Sequence, residues 1–390
     1  MTVSRPRDSG LALTLARTGV PASLGVVCLS PVLPLIEAAY AGQPAVLPLV
    51  KYVSVGLGLG MVIGAPLAGA LSDRVGRRIT LIVATIGFCL FGAAGYLLDG
   101  IPVLIAQRTL AGACAAAILT MGVALMGECC APERRDRLIG LNAMTSSLAA
   151  IATVAIAGGL GTVSVKLPFL LHLLPLPLAG LALRYVPATA RAPGQPARPP
   201  AERLTARHWS TLGLALASGI AIFSIPVYLP FFMRDAGLGD PRLTATVLAA
   251  MSICAAGCAA LFGWARSRLS LAAAFMTCLT VLGMGCAVLL VSVQLVAFGL
   301  AAVLLGCGSS WVAPNLMSAA NLLSAAGNRG RVVGLVKGVN LSGASLAVAL
   351  LDPLYRTMGM RPTLLVIALL AASLMPLALL ALRVVSRPPG

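Results

Sequence analysis

The chain has 390 residues, 59% of them hydrophobic and 10% charged, with a mean hydropathy of +0.98. A soluble globular domain carries about a quarter of its residues as charges, so this composition excludes one and places the chain in lipid. The net charge of +17 would suit a nucleic-acid partner if it formed one basic face. It lies instead in short turns between apolar runs, which excludes that class too.

Only helices or closed barrels satisfy their backbone in a bilayer, and long apolar runs without alternation predict helices. At about 20 residues per span, the runs predict twelve, at 18–39, 46–71, 79–98, 102–127, 138–161, 167–186, 210–233, 242–264, 270–291, 294–320, 332–353 and 362–383. Twenty Lys and Arg fall on the side of the N-terminus and six on the other, which predicts cytoplasmic termini. The expected organisation is a cytoplasmic tail over 1–17, a six-helix bundle over 18–186, a cytoplasmic linker over 187–209, a second bundle over 210–384 and a tail over 385–390. The first apolar segment runs past Pro34 without a small-residue cleavage site before it, so it reads as a retained span rather than a cleaved signal.

The Pro- and Arg-rich stretch Val186 to His208 is the long polar segment that divides the two sets of six. An offset of 194 maps Gly69 to Gly263, Arg74 to Arg268, Gly112 to Gly306, Arg137 to Arg331 and Gly140 to Gly334. After a small insertion, SPVLP from Ser30 matches SIPVYLP from Ser224. The halves are therefore copies. At the same offset Asp73 becomes Ser267, so the copies differ in one carboxylate. The ten cysteines lie mostly singly in apolar helices, as small core residues do, and suggest neither a disulfide framework nor a metal site.

Between the second and third spans stands GALSDRVGRR, Gly69 to Arg78. Its glycines, Gly69 and Gly76, suit close helix approach and an unusual backbone angle, and Arg74, Arg77 and Arg78 mark the cytoplasmic side. This spacing resembles the signature loop of the major facilitator superfamily, as does the later turn APERRDRLIG, Ala131 to Gly140. The resemblance runs from about residue 18 to 384. It implies an all-α membrane protein, twelve transmembrane helices in two pseudo-symmetric six-helix bundles with the transport path between them. It also implies a conformational gate at Gly69, Asp73, Arg74, Gly76, Arg77 and Arg78, holding the ends of the fifth and eleventh helices.

No phosphate-binding loop exists to couple ATP, and His172 and His208 are the two histidines of the chain, so neither an ATPase nor a hydrolytic enzyme is expected. No cofactor and no metal are expected. Arg108 lies inside the fourth span, where a charge faces a wet or paired interior or snorkels outward. RTLAGACAA, with Arg108 and Gly112, resembles the superfamily's fourth-helix motif, although its usual glutamine is Ala111 here. In the antiporters that carry the motif the arginine is associated with proton transfer, which the resemblance implies for Arg108. Glu37, in PLIEAAY, reads as a proton carrier or as an outer-face residue. Lys51, His172 and Lys337 read as cavity cations or as residues anchored at the membrane faces. Gln107, Asn142, Ser146, Tyr228, Asn315 and Asn340 complete the candidate substrate cavity. In the fifth span Gly158 and Gly159 suit helix packing, but Val154 and Ala155 replace the glycine and proline that antiporters of the family carry.

The expected function is secondary transport by alternating access, with protons as coupling ion, resembling the twelve-span drug:proton antiporter branch. Efflux of a drug-like or metabolite molecule leads, proton-driven uptake of a small organic acid is the alternative, and a non-transporting receptor or scaffold is a third reading. The partners expected are a small-molecule substrate, protons and the lipid bilayer, with no nucleic acid, for a monomer in a bacterial-type inner membrane.

Overall fold

A computed structural model describes residues 6–43, 45, 47–130, 132–188, 205–323 and 329–383. Side chains are described at all of these except 6–8, 47, 73, 127, 132–137, 139, 140, 143, 329–331, 334 and 380–383. Most of the expected linker and the C-terminal tail therefore lie outside the described residues, as do the side chains of Asp73 and of Arg134 to Arg137.

Among the described residues, twelve helical segments are long and apolar enough to cross a membrane: Ser9–Ala39, Val50–Ser72, Arg77–Tyr96, Ile101–Met126, Met144–Gly161, Leu167–Tyr185, Ala206–Asp235, Pro241–Ala260, Leu271–Val291, Leu295–Leu323, Leu335–Met358 and Met360–Leu379. The chain is an all-helical, multi-pass membrane protein. The main departure from the sequence expectation is at the start, where helix already runs over Pro6–Ala16. Thr14 and Leu15 in it are fully buried, so most of the expected tail is part of the bundle.

The chain divides into two compact units, Met1–Pro196 and Ala197–Gly390. Within the first, the second span packs on the fourth, the first on the fifth, and the third on the fourth and sixth; within the second unit the equivalent pairs meet. The offset of 194 also holds in space. A Cβ on Gly112 would stand 1.9 Å from the carbonyl oxygen of Leu57, and one on Gly306 would stand 2.2 Å from that of Met251. Both positions in each contact differ by the same offset. In lipid, where burying apolar surface adds little, such backbone-to-backbone packing is what holds helices together.

The copies differ in their turns. Between the second and third spans the chain reverses at Gly76, with φ of 85°, a left-handed angle that strains any residue with a Cβ. At the equivalent place Ser270 is extended instead, and its hydroxyl caps the next helix by accepting from the amide of Ala273 at 3.1 Å.

Proline breaks the first span. It is helix over Val20–Val27, a tighter turn over Ser30–Val32, and helix again over Leu33–Ala39. Pro31 and Pro34 have no N–H to give to the carbonyls one turn back. The sixth span starts as a 3-10 helix over Leu167–Leu173 and turns α-helical at Pro177–Tyr185, with Pro168, Pro175 and Pro177 supplying no donors. These two irregular helices flank the charged residue of the fourth.

Candidate functional site

Arg108 is fully buried in the N-terminal unit. Its guanidinium donates from Nε to the carbonyl of Val53 at 3.2 Å and from Nη2 to the carbonyl of Gly25. Nη1 lies 2.7 Å from Nε2 of His172 and 3.9 Å from Sγ of Cys28. The Gly25 carbonyl is available because it lies where the first helix breaks. One break in helix 1 thus provides an acceptor for the charge of helix 4.

The hydrogen bonds fix the state of His172. A guanidinium only donates, so Nε2 accepts; a carbonyl only accepts, so Nδ1, at 2.9 Å from the oxygen of Phe169, carries the proton. His172 is neutral in this arrangement. Its ring is fully buried, lies 5.3 Å from the ring of Phe88, and sits against Gly92, where a Cβ would come within 2.4 Å. Cys28 Sγ is 3.5 Å from Nε2.

All partners of Arg108 among the described residues are neutral. The other buried charged side chains of this unit are Lys51 and Glu37, and Glu37 does not reach Arg108. Two buried cations and one acid leave an excess positive charge, and a charge in a low-dielectric interior draws strongly on an opposite one.

The sequence candidates distribute as follows. Arg108 and His172 come together. Lys51, Gln107, Tyr228 and Asn315 are buried, and the amides of Gln107 and Asn315 have no hydrogen-bond partner among the described residues. Asn340 is buried in the C-terminal unit and donates to the carbonyl of Ala215 at 2.8 Å, whereas Lys337 is exposed. Asn142 donates to Leu15 and Thr18, each at 3.0 Å, and Ser146 donates to Asn142 at 2.6 Å. Asn142 therefore ties the fifth helix to the first, while the Ser146 bond stays within the fifth. Cys28 is the residue that sequence reasoning missed.

In the gate loop, Arg77 pairs with Glu128 at the end of the fourth span, and Arg78 donates to the carbonyl of Leu183 at the end of the sixth. These contacts tie the loop to the ends of the fourth and sixth helices, while the side chains of Asp73 and of 132–137 at the start of the fifth lie outside the described ones. Arg74 is exposed. Gly69 and Gly159 have nothing within 4 Å of a built Cβ, so neither makes the close approach expected of it; Gly158 is buried and Gly112 does make one.

At the bundle end that carries the 40–50, 97–100 and 162–166 connections, a cavity of about 240 Å³ is lined by Ile36, Tyr40, Leu98, Asp99, Lys166 and Phe169 among others. Lys166 pairs with Asp99 at 2.7 Å on its rim. Phe169 joins this cavity to the buried cluster, since its carbonyl holds His172.

A duplicated array of membrane-crossing helices, a glycine turn followed by paired arginines, and a buried arginine in the fourth helix define a polytopic protein of transporter type. The sequence model of the Major Facilitator Superfamily matches residues 18–348, and the chain belongs to that family. It is similar to the 3-(3-hydroxy-phenyl)propionate transporter of Escherichia coli (strain K12), 27% identical over 220 residues that cover 54% of each chain. It is also similar to the gallate transporter of Pseudomonas putida, 28% identical over 251 residues covering 54% of this chain and 55% of that one. The chain thus spans about half the length of these curated relatives. Its fold matches the crystal structure of a bacterial homologue of the human lysosomal transporter Spinster in an inward-facing, occupied state, with a TM-score of 0.77, 14% identity and full coverage of both chains.

Proposed function

We propose that the chain is a secondary transporter that takes up a small aromatic carboxylate together with a proton, by alternating access, in a bacterial-type inner membrane with both termini cytoplasmic. The observation that carries this reading is Arg108, a fully buried guanidinium satisfied by neutral groups alone. Such a group keeps its charge and offers a planar fork that fits a carboxylate. The two curated relatives are named for aromatic acids, which supports the same substrate class. Uptake is therefore preferred here to the efflux that leads on sequence alone. Two features already weaken efflux: Ser30 stands where the drug antiporters place an acid, and Val154 and Ala155 replace the antiporters' glycine and proline.

The test is uptake of radiolabelled gallate or 3-(3-hydroxyphenyl)propionate into proteoliposomes with an outside-acid gradient. One-to-one symport concentrates the anion about tenfold per pH unit, since a tenfold ratio corresponds to 1.36 kcal/mol. Gradient-driven extrusion of amphipathic cations, with no aromatic-acid uptake, would establish efflux instead. Folded protein that moves neither class would favour the scaffold reading.

A further inference from the structure

Resting on that reading, we infer that His172 carries the coupled proton and that Arg108 controls when it can be taken up. While Nη1 of Arg108 points at Nε2 from 2.7 Å, that nitrogen cannot hold a proton, because two N–H donors on two cations would face each other. Its other nitrogen is occupied by the Phe169 carbonyl. Protonation of His172 and its contact with Arg108 therefore exclude one another. A carboxylate that binds the Nη1 and Nη2 edge of Arg108 turns Nη1 away from the ring, and the freed Nε2 lone pair accepts one proton from hydronium of the acidic solution, leaving water.

Two states of the site carry the same net charge. Empty, the site holds the arginine cation and a neutral imidazole. Loaded, it holds an arginine–carboxylate pair and an imidazolium, so the net buried charge is the same. A proton without the anion sets two cations side by side in a low-dielectric interior and is disfavoured, whereas the anion alone neutralises Arg108. Proton uptake at His172 therefore waits on the anion, which both frees Nε2 and offsets the second cation.

The surroundings leave His172 few competitors. Among the described residues, Arg108 and Cys28 are the ionisable groups in contact with its ring. The third span presents Phe88 and Gly92 to it, and carries Cys89 beside them; the fifth span, Met144–Gly161, has no ionisable side chain. Tyr96 ends the third span, and Glu37 and Lys51 are buried, Lys51 two residues before Val53 on the second helix. Glu37, outside the contacts of Arg108, has no direct means of sensing an anion there.

The fold does not need this pair. At the offset of 194 the C-terminal unit has Ala302 and Val366 in place of Arg108 and His172, and the same helix pairs form around them. The two residues are thus an addition to one copy of a bundle that packs without them.

Two measurements on full-length protein in nanodiscs test the switch. With ¹⁵N-histidine in a His208→Gln background, His172 is the one labelled ring; without ligand its spectrum should show the neutral Nδ1–H tautomer. Adding gallate in weak buffer should take up one proton per gallate bound and convert the ring to imidazolium. His172→Gln should remove that uptake. Gallate binding without imidazolium formation, or equal proton uptake by His172→Gln, would overturn the inference. If neither aromatic acid binds, the substrate reading fails, and the switch is tested without ligand. Acidification should then protonate His172 in Arg108→Gln, or in Arg108→Lys if the first does not fold, at a pH where the parent ring stays neutral. Identical titration in parent and variants would refute it.

Discussion

Replacing Gly112 with alanine tests whether the helix seam positions the buried arginine. The new Cβ would stand 1.9 Å from the Leu57 oxygen and must move to at least 3.0 Å, so the second and fourth helices must part by about 1.1 Å, at an overpacking cost of about 1–3 kcal/mol. Arg108 lies one turn from Gly112 on the fourth helix, and Val53 one turn from Leu57 on the second. The same separation stretches the 3.2 Å bond between Arg108 Nε and the Val53 carbonyl to about 4 Å, beyond hydrogen bonding. A displacement near 1 Å at a reacting group lowers rate by on the order of 100-fold. Gly306→Ala is the internal control. There the shift needed is smaller, from 2.2 Å to 3.0 Å, and the residue one turn back is Ala302, with no charge to misplace. Both variants should lower thermal stability of the purified protein. Gradient-driven aromatic-acid uptake, normalised to folded transporter, should fall far more for Gly112→Ala. An equal fall in both would refute the idea that this seam sets the geometry of Arg108.

Other expectations concern stability. Gly76→Ala places a Cβ on a backbone with φ of 85° and ψ of 156° and should cost about 1–3 kcal/mol, whereas Gly69→Ala, in open space, should cost almost nothing; thermal melts of the two variants compare them directly. Tyr355→Phe removes the hydrogen bond from the Tyr355 hydroxyl to Oδ2 of Asp235, 2.5 Å long, and should lower stability by about 1.5–3 kcal/mol, the range for a bond to a charged group. The half-exposed pair of Arg77 and Glu128 should show a coupling of only about 0.2–1 kcal/mol in a double-mutant cycle, declining as salt is added.

Helix number and duplication were legible in the sequence because both are properties of one dimension. Span length and apolarity define a membrane helix, and a fixed offset of 194 survives in space as two matched glycine contacts. Pairing across helices was less legible, since it depends on how each helix is rotated about its axis. Arg108 stood out as a charge inside a span, but 64 residues of separation gave no sign that it would meet His172. Cys28 resembled every other small residue of an apolar helix; its place just before SPVLP, where proline frees carbonyls, was the available signal. Lys337 and Asn340 are close enough in sequence to suggest one face, yet the structure leaves the first exposed and spends the amide of the second on Ala215. The gate arginines stood out as a cluster, but their spacing gave no sign that Arg77 and Arg78 would meet the ends of the fourth and sixth spans.

The N-terminal bundle joins stiff and compliant parts side by side. Where Leu57 and Gly112 touch through their backbones, the second and fourth helices act as one double-width strut. The first helix beside them is jointed at Ser30–Val32, and a side chain of the strut, Arg108, reaches across to Gly25 just below that joint. The piece over Leu33–Ala39, which carries Glu37, lies beyond the joint and rests on the second helix of the strut, while Arg108 holds the lower piece at Gly25. A carboxylate that took Nη2 of Arg108, as proposed above, would exchange this tie between two helices for one between the strut and the substrate.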